Sequence, residues 1–235
     1  MTINRRFVLK SFALAGVAGA MAGPARAFAG LVADAADNPV ASGQSLLALV
    51  NDDRAGRVFL DGARSLTGDG LEVPRAGSDL AFLTDLERRL RSGRPLSIIG
   101  LLDDAAGTLV VDVARGTGAR LQWLGQHSAQ ARTSSHHLLT AGSARDGARA
   151  LARNLQACGA GFELRHEGHA DPAPVTVAAA ASGNSAAVAE QWLHGTGGQL
   201  AALALQRPPP ALPQEFAAQA GDPVRGHFVS FLVLT

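Results

Sequence analysis

The 235-residue sequence predicts a layered α/β domain, with an N-terminal helical segment followed by repeated strand–helix–strand units in a ferredoxin-like sheet. Three observations carry that reading. From residue 94 onward, short apolar runs alternate with Ala- and Leu-rich stretches of helical period. Each helical stretch ends in a glycine-containing stop, and Gly118-Ala119-Arg120-Leu121 and Gly159-Ala160-Gly161-Phe162 mark the same boundary twice. The links between units, 128–134 and 167–174, are short, which favours hairpins over long crossovers.

Taken in order, residues 45–93 read as helical. Leu46, Leu47, Leu49 and Val50, then Val58, Phe59 and Leu66, suggest one or two short helices broken near Asn51-Asp52-Asp53. Ser78 can cap a further helix carrying Leu80, Leu83, Leu86 and Leu90, with Gly93 as its stop. The repeated domain spans 94–206. Its first unit has a buried strand at 96–102, a helix to Arg115 and a strand at 120–125. The second has a strand at 135–140, a helix at 143–157 and a strand at 162–166. The third has a strand at 175–180, a helix over 184–194, a stop at Gly195-Thr196-Gly197-Gly198 and a strand at 199–205. Residues 207–225 open with Arg207-Pro208-Pro209-Pro210, a stiff polyproline linker. The final apolar run, within 226–235, either inserts into the sheet or is offered to a partner.

The chain opens Asn4-Arg5-Arg6-Phe7-Val8-Leu9-Lys10, continues through a mildly apolar stretch at 11–23 and reaches Pro24-Ala25-Arg26-Ala27. That is the order of charged region, apolar region and small-residue cleavage site found in an export signal. It resembles the twin-arginine (Tat) signals of bacterial exported proteins, with Val8 in place of the usual phenylalanine. The resemblance implies recognition of Arg5 and Arg6 by the Tat translocase, cleavage after Ala27 with Ala25 and Ala27 as the small residues, and a periplasmic mature protein. The apolar stretch is shorter than the roughly 20 residues that span a bilayer, and no other segment approaches that length, so no stable membrane span is expected in the mature form. Residues 28–44 read as a flexible leader rich in Ala, Asp and Gly.

Composition excludes several chemistries. The signal carries Arg5, Arg6, Lys10 and Arg26 and no acid, so its removal takes the formal charge from +1 to −3. A slightly acidic protein has no electrostatic footprint for nucleic acid. Lys10 is the only lysine, which leaves the mature chain without a Schiff-base amine for pyridoxal phosphate or a P-loop lysine. Met1 and Met21 are the only methionines, and tyrosine is absent. Cys158 stands alone, so disulfides, c-type haem attachment, iron–sulfur clusters and cysteine zinc sites are argued against. Late in a predicted helix, it reads as a small buried apolar residue.

The candidate chemistry is histidine. His127, His136, His137, His166 and His169 gather in sequence at the joints between units. Hairpin-linked units are expected to bring both joints to one sheet end. His127 shares strand parity with Leu121 and Trp123, and His166 with Phe162 and Leu164, so both should project from the core face. Neutral imidazole is the commonest metal ligand, and three suit a transition metal such as zinc, copper or non-haem iron; Asp171 could add a carboxylate. Surface histidines in polar loops are the plainer alternative. Asp103-Asp104 follows a buried strand and fits either a catalytic carboxylate or a helix N-terminus. Gly195–Gly198 follows a helix, so its amides point the wrong way for phosphate.

The second and third units, with Leu139-Thr140-Ala141-Gly142-Ser143-Ala144-Arg145-Asp146 at a strand-to-helix junction, are similar in layout to the SPOR repeat domains of bacterial envelope proteins. That resemblance covers about 30% of the chain and implies envelope-glycan binding; Ala144 stands where an aromatic is expected. Three functional expectations follow. The first is a non-catalytic periplasmic accessory or binding protein, with a co-exported redox enzyme as candidate partner. The second is a metal-dependent enzyme built on the joint histidines. The third is a glycan-binding module.

Overall fold

The computed structural model describes residues 45–130, 133–142, 144–168, 173–181, 186–208 and 222–235. The signal with Arg5, Arg6, Ala25 and Ala27, the leader, His169, Asp171 and most of the Pro-rich linker lie outside the described residues.

The strands are β1 (Ser45–Val50), β2 (Leu96–Asp103), β3 (Arg120–Ala129), β4 (Thr133–Thr140), β5 (Gly161–Gly168), β6 (Val175–Ala179) and β7 (Gly226–Leu234). The helices are α1 (Arg54–Thr67), α2 (Leu80–Leu90), α3 (Asp104–Gly116), α4 (Ala144–Ala157) and α5 (Ala186–Ala204). One mixed sheet holds all seven strands in the order β1-β2-β7-β3-β4-β5-β6. β1 runs parallel to β2 and β4 to β5, while β7 lies antiparallel to both β2 and β3. The α/β layered class holds. The two central units meet side by side at the β3–β4 hairpin instead of interleaving, and the C-terminal strand fills the gap between β2 and β3.

Local chemistry sets the helix starts. Asp53, Asp79 and Asp103 accept hydrogen bonds from the amides of Gly56, Phe82 and Ala106, capping α1, α2 and α3. The α2 cap is therefore Asp79, one residue beyond Ser78. Asp103 serves α3 and also accepts from Asn51 Nδ2 at 3.1 Å, which ties together the ends of β1 and β2.

Two elements differ from the sequence expectation. Residues 45–50 form a strand. Five of its six residues are buried, because the strand carries apolar side chains toward both faces, and such a run mimics a helical period. α5 runs unbroken through Gly195-Thr196-Gly197-Gly198, and Gln199–Ala204, expected as a strand, is its last part. Gly197, with Gly62 of α1, serves packing. A Cβ on Gly62 of α1 would lie 2.0 Å from the His194 carbonyl oxygen of α5, and one on Gly197 would lie 2.0 Å from the Phe59 carbonyl oxygen. The two helices meet backbone to backbone, which outweighs the roughly 1 kcal/mol each glycine costs within a helix.

One face of the sheet carries α1, α5 and α4 over the main core, which includes Phe59, Ile99, Trp123, Leu151, Trp192 and Leu200. The other carries α3, flanked by α2, over β2, β7 and β3. Beyond α3, the strands β4, β5 and β6 turn exposed or half-buried side chains outward on that second face. Entry into β7 is pinned by Glu190 of α5. Its carboxylate accepts from Val224 N at 2.9 Å and from Arg54 Nη2 at 2.8 Å, and Arg54 also reaches the Asp222 carbonyl oxygen.

Gly197→Ala and Gly62→Ala should each lower the melting temperature by about 4–8 °C, the effect of roughly 2 kcal/mol of overpacking in a domain of this size. Gly116→Ala, where a Cβ meets nothing within 4 Å, should leave it nearly unchanged. Thermal unfolding followed by circular dichroism checks all three.

Candidate functional site

The polar residues best organised by the fold lie in the core, where β7, β3 and β4 meet beneath α5. His127 sits opposite both Phe228 of β7 and His136 of β4 in the strand register. Trp123, Gly125 and His127 point to the α5 face. A bulge between Leu121 and Trp123 switches the alternation there, so Leu121 does not share their face as strict parity predicts. Gly125 is required by close approach, since a Cβ would lie 2.4 Å from Ser230 Oγ and 2.6 Å from His127 Nε2.

The result is a continuous hydrogen-bonded chain. Trp123 Nε1 donates to Ser230 Oγ at 2.9 Å, and Ser230 Oγ lies 2.7 Å from His127 Nε2. His127 Nδ1 lies 2.8 Å from His136 Nδ1, and His136 Nε2 lies 2.8 Å from Ser134 Oγ. An indole can only donate, so Ser230 Oγ accepts from Trp123, and two proton orders then satisfy the rest of the chain, each leaving one serine hydroxyl proton outside it. In one, Ser230 donates to His127 Nε2, His127 Nδ1–H donates to His136 Nδ1, and His136 Nε2–H donates to Ser134. The reversed order, with His136 Nδ1–H donating to His127, also keeps each ring singly protonated. Trp192 of α5 closes the cluster, stacked on His127 at 4.8 Å and tilted against His136 at 5.0 Å.

Both imidazoles are buried, and burial sets their charge. Loss of solvent holds His127 well below the ordinary histidine range, and the neighbouring His136 adds to that effect. Loss of solvent alone takes His136 down to about 3. The pair is neutral at pH 7, as the single-proton contact between the Nδ1 atoms requires.

The expected histidine site divides. His127 and His136 come together. His166 is buried on the same sheet face as His136, two residues along the neighbouring strand, with Nε2 2.7 Å from Thr140 Oγ1. His137 points to the opposite face, where Nε2 lies 3.0 Å from Glu167 Oε1; that oxygen also accepts from Arg165 Nη2 at 2.8 Å. The joints do not share a sheet end. β4 and β5 are parallel, so the β3–β4 turn and the β5–β6 turn fall at opposite ends. Among the described residues, no group of three or more His, Cys, Asp or Glu is arranged to hold a metal ion. Two imidazoles are fewer than the three or four protein ligands that transition-metal sites ordinarily present. Asp103 is accounted for as a helix cap. Cys158 is half-buried and gives its thiol to the Leu155 carbonyl oxygen, with burial pushing its pKa up.

Ser230, Ser134, Trp192 and Thr140 escape a reading of the sequence. Ser230 alone left a trace, as the one polar residue among the seven at 228–234.

Behind the histidine pair, on the second sheet face, a groove of about 490 Å³ runs over β3, β4 and β5. Gln126, Ser128, Ser135, His137, Glu163 and Arg165 line it, with Asp104 of α3 and His227 of β7 at one side. Its volume lies within the range of small-ligand sites, but its lining is polar and charged where such sites are mostly apolar. No family model, curated protein or solved structure matches the chain. Among the described residues no helix is long and apolar enough to cross a membrane.

The buried pair makes folding pH-dependent with a defined sign. Both folded pKa values lie below the unfolded 6.5, so the unfolded chain binds more protons below that pH. The stabilisation is complete above about 6.5 and drains away as the pH falls toward 3, by an amount on the order of a few kcal/mol. The protein's two tryptophans both touch the cluster, so their fluorescence in urea titrations between pH 7 and 4 reads the change directly. A His127→Leu/His136→Leu double variant should flatten that acid slope; an unchanged slope would assign it to other groups.

Proposed function

We propose that this chain is exported through the Tat route and acts in the periplasm as a non-catalytic accessory or binding protein. Its contact surface is the sheet face over β4, β5 and the Gln126–Ser128 part of β3, beside α3. The observation that carries this reading is the division between the two sheet faces. The imidazoles of His127 and His136 have both ring nitrogens committed to hydrogen bonds inside the core. The groove, by contrast, turns Gln126, Ser135, Glu163 and Arg165 toward whatever lies outside. Mixed donors and acceptors of both signs suit a polar partner surface, and Tat export of a folded chain suits an escort of a redox enzyme travelling the same route. A metal-dependent enzyme is the second reading, favoured by the convergence of two Nδ1 atoms at 2.8 Å.

A photo-cross-linker at Ser135, in the groove, and at Asp61, on the exposed side of α1, compares the two surfaces inside cells. The expected result is a discrete adduct from Ser135 only, lost in a His137→Ala/Arg165→Ala variant; no adduct from Ser135, or equal adducts from both, would contradict it. Arg5→Lys/Arg6→Lys should leave the chain unprocessed in the cytoplasm, and unchanged processing would argue for another route. Elemental analysis addresses the second reading. Less than about 0.1 equivalent of any transition metal in the folded protein would end it.

A further inference from the structure

The two edges of the sheet are treated differently. At β1 the chain closes its own edge, with Ala48 N donating to the Glu72 carbonyl oxygen at 2.8 Å and Glu72 N donating to the Leu46 carbonyl oxygen at 3.2 Å. At the far side, β6 pairs with β5, and no strand pairs with its outer edge among the described residues. The strand reads Val-Thr-Val-Ala-Ala, with Val175, Thr176 and Ala178 exposed. The strand is short, but within Val175–Ala179 there is no charge, proline or bulge to keep the edge from pairing.

We propose that β6 is the contact strand of a two-fold homodimer, pairing antiparallel with β6 of a second copy about a dyad at Val177. Charge and sidedness select this register. Arg165 lies beside Thr176 and Glu163 beside Ala178. With the dyad at Val177, Thr176 faces Ala178 of the second copy. Each transverse row on the uncovered face then runs Arg165, Thr176, Ala178, Glu163, with opposite charges at its ends. Moving the dyad to Thr176 would set Arg165 against Arg165, and moving it to Ala178 would set Glu163 against Glu163. Registers that place Thr176 opposite Val177 would turn the helix-covered face of one copy against the open face of the other. In the selected register the row spans about 14 Å, three strand spacings, and only the small side chains of Thr176 and Ala178 intervene. Arg165 Nη2 is engaged by Glu167 Oε1 at 2.8 Å, so the guanidinium already lies along this face.

The partner is a second copy because a neutral strand carrying this arrangement is complementary to itself. A pairing of five residues is small, so the dimer is weak and concentration-dependent. The proposal does not rest on the identity of any ligand, and a monomer would leave the proposed contact face standing.

Sedimentation equilibrium of the mature chain tests it. The expected result is a monomer–dimer equilibrium with a dissociation constant below about 100 μM; a monomer throughout that range overturns the proposal. The register is tested by charge reversal, with folding checked by circular dichroism. Arg165→Glu and Glu163→Arg should each weaken the dimer about tenfold, and the double reversal should restore it. A dimer indifferent to both single reversals would place the contact elsewhere and overturn the assignment.

Discussion

The fold depends on where the last strand goes. β7 lies between β2 and β3 and is antiparallel to both, so the sheet is continuous only through it. Without β7, β1 and β2 would form one short parallel pair, and β3 to β6 a separate sheet. Six consecutive residues of β7, Phe228 to Val233, are buried, because the strand feeds two cores at once. Phe228, Ser230 and Leu232 face α5, while Val229, Phe231 and Val233 face the α3 side. The Glu190 carboxylate holds the chain at Val224, so the register of β7 is anchored before the strand begins.

That placement also assembles the polar cluster. Ser230 is the point at which the indole of Trp123 and the imidazole of His127 meet, more than 100 residues away along the chain. A buried polar group left without a partner costs roughly 1–3 kcal/mol. Three strands must therefore hold their register if the histidines are to stay satisfied. The pair is thus costly if broken and neutral when made. It is well suited to fixing one arrangement of β3, β4 and β7 and poorly suited to meeting a substrate. The open half of the second face is the complement. No helix covers β4, β5 and β6 there among the described residues, and apart from the half-buried Leu139 their outward side chains are polar or small.

Much of this was readable from sequence because local signals and tertiary demands agreed. The strands at 96–103 and 226–234 announce themselves as apolar runs, the expected strands at 120–125 and 162–166 lie within longer ones, and α3 and α4 end at the glycine-containing stops that mark them. The failures occur where a distant partner reverses a local signal. Leu46, Leu47, Leu49 and Val50 look helical alone, yet form a strand because apolar material covers both their faces. Gly195, Gly197 and Gly198 look like a stop, yet lie inside a helix, and the neighbouring α1 leaves no room for a side chain at Gly197. The histidines were visible as a group, but their division between two faces follows from strand register. The parallel pairing of β4 and β5 sends the two turns to opposite ends, which no spacing of histidines discloses.

Native-state hydrogen exchange tests the central role of β7 most directly. If the strand joins the two halves of the sheet, the amides of Val229–Val233 exchange only through global unfolding, as slowly as those at the centres of β2 and β3. Exchange in β7 through a local opening, with β2 and β3 still protected, would show that the sheet holds without it and would contradict this account.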